Sequence, residues 1–131
     1  MVDQSQINDL IIILRDLVKD FDKIIDQAKL IKGKVLGGDF SPTIHLAHRV
    51  SVLVKKYKDA RKILDTINLS DVDGLSEKYI HTYRLYLETV SIPYIRDLVI
   101  EIKEIIDIKS GGRGKYSEVL KDLLSEINGI V

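Results

Sequence analysis

The stretch GGRGK at residues 111–115 is the part of the chain most similar to a phosphate-binding loop. A P-loop has a glycine, four further residues and then Gly-Lys-Ser/Thr, because its backbone N–H groups surround phosphate and its hydroxyl holds magnesium. Here Lys109 occupies the first glycine position and Tyr116 the hydroxyl position. The preceding segment also has a helical pattern, whereas a P-loop follows a strand. The stretch is therefore interpreted as a solvated connection between helices, in which the glycines permit the turn.

Two histidines have the spacing of metal ligands. His45 and His48 are three residues apart near the start of a predicted helix, so they share one face and could supply two ligands, with Asp39 as a conceivable third. The remaining histidine, His81, belongs to another predicted helix. We favour partly exposed histidines at a helix start, and we predict no metal, no cofactor and no small-molecule substrate.

No candidate active site emerges from the other polar residues. Acidic and basic residues alternate along the first predicted helix, as they do on a solvated, salt-bridged face. The residues concerned are Asp16, Asp20 and Asp26 with Arg15, Lys19 and Lys23. No nucleophile has a base beside it, and the absence of cysteine excludes thiolate chemistry and disulfides. We therefore predict a protein that is not an enzyme.

Length and net charge limit the classes of protein to which the chain could belong. A chain of 131 residues suits one domain, residues 1–131. Twenty basic and twenty acidic residues leave no overall field that would attract nucleic acid or an anionic membrane. The longest apolar run, residues 10–14, is far shorter than the roughly 20 residues that cross a bilayer, and the first residues contain no basic region. We expect no membrane span and no signal peptide.

Apolar residues spaced three or four apart predict two long helices. The seam of the first helix, residues 5–32, is Ile7, Leu10, Leu14, Leu17, Phe21, Ile24, Ala28 and Ile31. The seam of the second, residues 42–67, is Leu46, Val50, Leu53, Tyr57, Ala60, Leu64 and Ile67. We expect the first helix to end at Gly33 and the chain to turn at residues 37–38. The second should begin with Ser41 as N-cap and Pro42 at the first helical position.

The rest of the chain predicts two further helices. The third has the seam Ile80, Tyr83, Leu87, Val90, Tyr94, Leu98, Ile102 and Ile105, and Ser70 or Ser76 could cap it. Pro93 lies inside it and predicts a kink or break near residues 89–92. A short last helix carries Tyr116, Leu120, Leu123, Ile127 and Ile130, with Ser117 as cap and a stop at residues 128–129. No segment alternates with period two. The prediction is an all-α, antiparallel up-and-down four-helix bundle.

Apolar side chains outside these seams suggest self-association. Ile12 and Ile13 point away from the first seam, and tyrosines follow one flank of the third helix. The candidate self-association residues are Ile12, Ile13, Tyr79, Tyr83, Tyr86 and Ile100. Broad faces buried within a single bundle, with the tyrosines at the edge of its core, are the alternative interpretation.

A second candidate surface is basic and would contact phosphates rather than bases. Its residues are Arg49, Lys55, Lys56, Lys58, Arg61 and Lys62 on the second helix, with Arg113 and Lys115 in the last connection. Asp59 is the one acid among residues 49–62. The alternative is neutralisation by acidic residues of the first and third helices, which the zero net charge favours.

A family resemblance rests on the seams at residues 7–31 and 46–67, the proline in the third helix, the lack of cysteine and the frequent isoleucine. On these features the full chain resembles the small helical structural proteins of viruses that infect hyperthermophilic archaea, the two-tailed viruses in particular. The resemblance implies a structural component of a virion, present in many copies, found in the particle or in host cytoplasm before assembly, with itself and other virion proteins as partners. A helical nucleic-acid-binding or regulatory module that uses the second helix is the alternative.

Overall fold

The computed structural model describes residues 3–130, and every regular element among them is helical. The helices are α1 (Gln4–Leu36), α2 (Pro42–Thr66), α3 (Gly74–Tyr86), α4 (Ile92–Ser110) and α5 (Lys115–Asn128). A 3-10 turn, Leu69–Asp71, lies between α2 and α3, and a π-helical turn, Leu87–Ser91, joins α3 directly to α4. The predicted all-α class is confirmed for this part of the chain.

The two long helices bury the seams that the sequence predicts. On α1 every seam residue from Ile7 to Ala28 is buried, and Ile31 is partly buried. On α2 the seam is buried from Leu46 to Leu64, and Ile67 is partly buried. The three-and-four spacing therefore identified the core face of both helices correctly.

One predicted helix end is wrong. The helix α1 passes through Gly33 and continues to Leu36, because Val35 is fully buried in the core and keeps the last turn packed. The start of α2 is as predicted, with Ser41 at the N-cap and Pro42 as the first helical residue, although the Ser41 hydroxyl makes no capping bond and donates to the Asp39 carboxylate at 2.7 Å. The turn at residues 37–38 is confirmed, with Gly38 at φ +96°.

The predicted break in the third helix is a π turn, so the chain is helical without interruption from residue 74 to residue 110. Pro93 has no N–H, so it cannot bond to the carbonyl four residues earlier. The π turn accommodates this position, and the N–H of Ile92 bonds to the carbonyl of Leu87, five residues back. One extra residue per turn rotates everything that follows.

That rotation overturns part of the predicted seam. Val90 and Tyr94 were expected in the core but are 41% and 42% exposed. Ser91, Ile92 and Ile95 are buried in their place. In the predicted seam the steps from Val90 to Tyr94 and from Tyr94 to Leu98 are four residues each, and they coincide with this change in helix geometry.

The caps of the shorter helices also differ from expectation. Asp73, not Ser70 or Ser76, caps α3 by accepting the N–H and hydroxyl of Ser76. Ser117 lies inside α5 and donates to the Asp107 carboxylate at 2.6 Å, while Gly114 precedes that helix. In the preceding turn Gly111 has φ +75°, a conformation that glycine adopts without strain.

The helices pack around one continuous core. α1 contacts α2, α3 and α4, and α5 contacts α2 and α4. Phe21 and Tyr57 are the largest fully buried side chains of this core. Near the start of α1 the core is covered by α3, and α5 covers α2 as far as Arg61, which donates to the carbonyl of Ile130 at 2.8 Å.

Candidate self-association surface

The predicted self-association residues are mostly at the surface. Ile12, Ile13, Tyr79, Tyr86 and Ile100 are exposed, and Tyr83 is partly buried against the core. Tyr79 and Tyr83 stack on each other, with ring centroids 6.2 Å apart and planes 13° from parallel. The tyrosines therefore form an outer flank of α3.

The π turn extends this flank onto α4. It brings Val90 and Tyr94 to the surface at four-residue steps after Tyr86, so five residues follow one side of the continuous α3–α4 helix. We call this set the aromatic stripe: Tyr79, Tyr83, Tyr86, Val90 and Tyr94. Tyr94 lies beside α1, where the Lys29 ammonium is 5.1 Å from its ring centroid.

A groove of about 710 Å³ runs between α1 and α4, beside Val90 and Tyr94 at the C-terminal end of the stripe. Its apolar wall includes Val90, Pro93, Tyr94 and Leu98. Its α1 rim carries Lys29 and Lys32, and its α4 rim carries Asp97 and Glu101. Lys32 donates to Glu101 at 2.7 Å, and the hydrogen bond to Tyr94 raises the pKa of Lys29. One rim is thus basic and the other acidic.

A polar cluster anchors the π turn to α2. The hydroxyl of Tyr57 donates to Glu88 at 2.5 Å, and Arg84 donates to the same carboxylate oxygen at 3.0 Å. Burial of Tyr57 and its bond to Glu88 raise the pKa of the phenol. Burial raises the pKa of Glu88, but the bonds from Tyr57 and Arg84 outweigh it and lower that pKa. The cluster thus ties the Glu88 side of the π turn to α2.

The structure does not bring all six predicted residues together. Ile13 lines a groove between α1 and α2 that also contains Ile63. Ile12, the next residue on α1, points about 100° away from it. Ile100 shares a face of α4 with Asp107, which bonds to α5, and so it lies away from the aromatic stripe. Only the tyrosines belong to one surface.

The predicted basic surface of α2 divides into two. Lys55, Lys58 and Lys62 are three and four residues apart and share one exposed face, whereas Lys56 lines the α1–α2 groove with acidic residues. Within residues 3–130 none of these four lysines is in an ion pair. For Lys56 the neighbouring Asp16 and Asp20 of α1 agree with neutralisation by acidic residues, the alternative interpretation.

The two arginines of this surface have internal roles. Arg49 donates to Gln27 of α1, and Arg61 donates to the carbonyl of Ile130. Arg113 and Lys115 lie elsewhere, because the neighbouring Tyr116 contacts Phe40, at 6.0 Å between ring centroids, just before α2 begins. Lys55 is fifteen residues further along, about 22 Å at 1.5 Å per residue. The last connection and the α2 lysines are thus separate surfaces.

The histidine positions gain no further ligands. His45, His48 and Asp39 are exposed, and Asp39 accepts hydrogen bonds from Ser41 that lower its pKa. In the part of the chain that the structure describes, no three His, Cys, Asp or Glu side chains are grouped so that they could hold a metal ion. Within the same part, no helix is both long and apolar enough to cross a bilayer.

Sequence reasoning missed several exposed apolar positions, among them Val90, Leu75 and Ile108. Val90 was assigned to the core, and Leu75 and Ile108, which are 62% and 83% exposed, were not considered. The four-residue steps around Pro93 were the available signal for Val90. Comparisons of the chain with protein-family models, with curated proteins and with solved structures gave no match.

Proposed function

We propose that this protein is a non-enzymatic structural protein that associates with copies of itself through the aromatic stripe. The stripe carries the proposal: five neighbouring apolar or aromatic side chains along one helix, four of them exposed. Tyrosine is enriched where protein surfaces meet, because its ring buries apolar area while its hydroxyl stays hydrogen-bonded. The specific role proposed is a component of a viral particle, supported by the resemblance in architecture and composition.

The antiparallel arrangement of α1 and α2 is part of the proposal. Gln27 of α1 pairs with Arg49 of α2, and Leu17 lines a groove with Ala60. Residue numbers therefore increase along α1 in the direction in which they decrease along α2. A connection of five residues between the two helices agrees with this reversal.

The other helices fit an up-and-down order along the chain. Lys29 meets Tyr94 and Lys32 meets Glu101, so the numbers on α1 and α4 rise together. On this basis α1 and the α3–α4 helix point one way, and α2 points the other.

The last helix completes this order. Ser51 donates to Glu126 at 2.6 Å, and Arg61 reaches Ile130, so the numbers on α2 and α5 rise together. The chain direction therefore alternates from α1 to α2, to α3–α4 and to α5.

A second copy is the occupant that fits the stripe and its groove. If two copies meet about a two-fold axis parallel to the groove, the α1 rim of each faces the α4 rim of the other. Lys29 and Lys32 of one copy then lie at the level of Asp97 and Glu101 of the second. Rims of opposite charge on one surface are therefore self-complementary in this parallel dimer.

Sedimentation velocity at about 0.5 M salt tests the dimer, since salt at that level screens other charge-driven contacts. The wild-type chain should sediment as a dimer, and a variant with Tyr86→Ser, Val90→Ser and Tyr94→Ser should sediment as a monomer with unchanged circular dichroism. A variant with Ile44→Ser, Leu85→Ser and Ile100→Ser is the matched control, because these residues are exposed but outside the stripe. A monomeric wild-type chain, or a stripe variant that still dimerises, contradicts the proposal.

The particle assignment has its own test. Mass spectrometry of purified particles of the virus that encodes this chain should find it among the abundant virion proteins. Its presence in infected cells but not in the particles would leave self-association standing and remove the virion role.

Nucleic-acid binding is the second candidate, and the exposed face of Lys55, Lys58 and Lys62, which make no ion pair within residues 3–130, favours it. Three phosphate contacts would reduce affinity by about 40-fold between 50 and 200 mM salt, from a slope of about −0.9 per contact. Filter binding of duplex DNA should show this loss, and Lys55→Glu, Lys58→Glu and Lys62→Glu together should abolish binding. Lys56→Glu is the control. Binding that is independent of salt, or equally weakened by the control, argues against this function.

A further inference from the structure

We infer that the two ends of the bundle bind each other in different copies, so that the protein assembles head to tail. The inference rests on the proposed function, because the placement of the ends uses the up-and-down order given above. It adds a second contact to the aromatic stripe, one formed by opposite charges at opposite ends of the molecule.

One end is acidic, and basic residues occur only at its border, at Arg15, Lys62 and Lys78, which leave its net charge negative. It comprises residues 3–14 at the start of α1 and residues 63–77 around the α2–α3 connection. Its charged residues are Asp3, Asp9, Asp65, Asp71, Asp73 and Glu77. Asp3 and Asp73 cap helices, a role that satisfies backbone N–H groups and leaves the negative charge in place.

The other end is basic and contains no acidic residue. It comprises residues 29–38 at the end of α1 and residues 108–117 around the α4–α5 turn, which the contact of Phe40 with Tyr116 brings together. Its charged residues are Lys29, Lys32, Lys34, Lys109, Arg113 and Lys115. Asp39, Asp107 and Glu118 border this end and Glu101 pairs with Lys32, and these four acidic residues still leave its net charge positive.

These charges are little neutralised within the chain. In the described residues, Lys32 is the one member of either group that takes part in an ion pair. A molecule with zero net charge therefore has a negative and a positive end. Like ends of two copies repel, and unlike ends attract.

Both ends also carry exposed aliphatic side chains, which would be shielded from water when two ends meet. Ile108 and Leu36 lie at the basic end, and Leu75 lies at the acidic end, and all three are exposed. The contact between unlike ends would therefore have apolar side chains surrounded by complementary charges, the usual composition of a protein interface. A contact between unlike ends is heterologous, and it continues as an open chain unless it closes into a ring.

The small area of this end-to-end contact makes it weak and sensitive to salt. Four packed helices, each about 10 Å across, have a section of about 400 Å². This is about half of the roughly 800 Å² that each partner buries in a standard interface. A parallel dimer through the aromatic stripe presents two such ends side by side, which doubles the contact and strengthens it by avidity.

Two charge-reversed variants test the inference. The first, with Lys34→Glu, Lys109→Glu, Arg113→Glu and Lys115→Glu, has two acidic ends. The second, with Asp9→Lys, Asp65→Lys, Asp71→Lys and Glu77→Lys, has two basic ends and keeps both capping aspartates. The control, Lys55→Glu with Lys56→Glu, Lys58→Glu and Lys62→Glu, changes the net charge of the chain as much as the first variant does. Circular dichroism confirms the fold of each.

Light scattering and electron microscopy at about 20 mM salt should show wild-type assemblies many times the mass of a dimer, dissolving by about 0.5 M salt. Each end variant alone should remain a dimer, the control should assemble, and an equimolar mixture of the two end variants should recover assembly. Either end variant assembling alone, or a mixture that stays dimeric, overturns the head-to-tail inference. A wild-type chain that is dimeric at low salt overturns it and leaves the stripe dimer intact, whereas a wild-type monomer overturns both.

Discussion

Removing the hydroxyl that links Tyr57 to Glu88 should measurably destabilise the protein. The bond anchors the π turn to α2, and its acceptor is a carboxylate with a lowered pKa. A hydrogen bond to a charged group contributes about 1.5–3 kcal/mol. Glu88 is partly exposed and retains Arg84, so for Tyr57→Phe we expect a loss near the low end, about 1–1.5 kcal/mol.

The thermal midpoint converts that loss into a measurable shift. A chain of 131 residues has an unfolding entropy of about 0.28 kcal/mol/K, so 1 kcal/mol lowers the midpoint by about 4 °C. Tyr79→Phe is the control, because Tyr79 is exposed. A double-mutant cycle with Glu88→Gln isolates the pair. A Tyr57→Phe loss no larger than that of Tyr79→Phe would refute the reasoning.

The loss should also depend on pH in a definite direction. The folded state lowers the pKa of Glu88 below its ordinary value of 4.5. The carboxylate therefore contributes stability that is complete above that value and disappears as the pH falls through the lowered pKa. The difference between wild type and Tyr57→Phe should be full at pH 7 and smaller at pH 3. An unchanged difference would show that ionised Glu88 is not the partner.

Four further substitutions should change the free energy of unfolding, measured by urea denaturation, by amounts that differ in size and sign. Ser91→Ala should leave stability unchanged or raise it by up to about 1 kcal/mol, because the buried hydroxyl has no partner among the described residues, and a loss would contradict this. Gly33→Ala should stabilise by about 0.5–1 kcal/mol, since an added Cβ within α1 meets nothing within 4 Å. Gly111→Ala should cost about 1 kcal/mol because of its φ of +75°, and equal effects of the two glycine changes would refute the conformational argument. Phe21→Ala should cost about 3–5 kcal/mol by leaving a cavity in the core, and a loss below about 1 kcal/mol would show that Phe21 is not packed as described.

The sequence by itself determined the helical class, the core face of α1 and α2 and the turns at residues 37–38 and 111–114. Local physics accounts for this success. A seam such as Ile7 to Ala28 is readable because the α-helical period is constant along it. The turns at Gly38 and Gly111 could be predicted because positive φ angles favour glycine there.

Only the tertiary structure decided which side of the third helix faces water. Pro93 signalled a disturbance, but a kink, a break and a π turn all satisfy a missing N–H, and they rotate the following residues by different amounts. The partly buried bond from Tyr57, far away in the sequence, anchors the π turn that exposes Val90 and Tyr94. The division of the α2 lysines likewise depends on helix packing, because side chains distant in sequence become neighbours only when the helices dock.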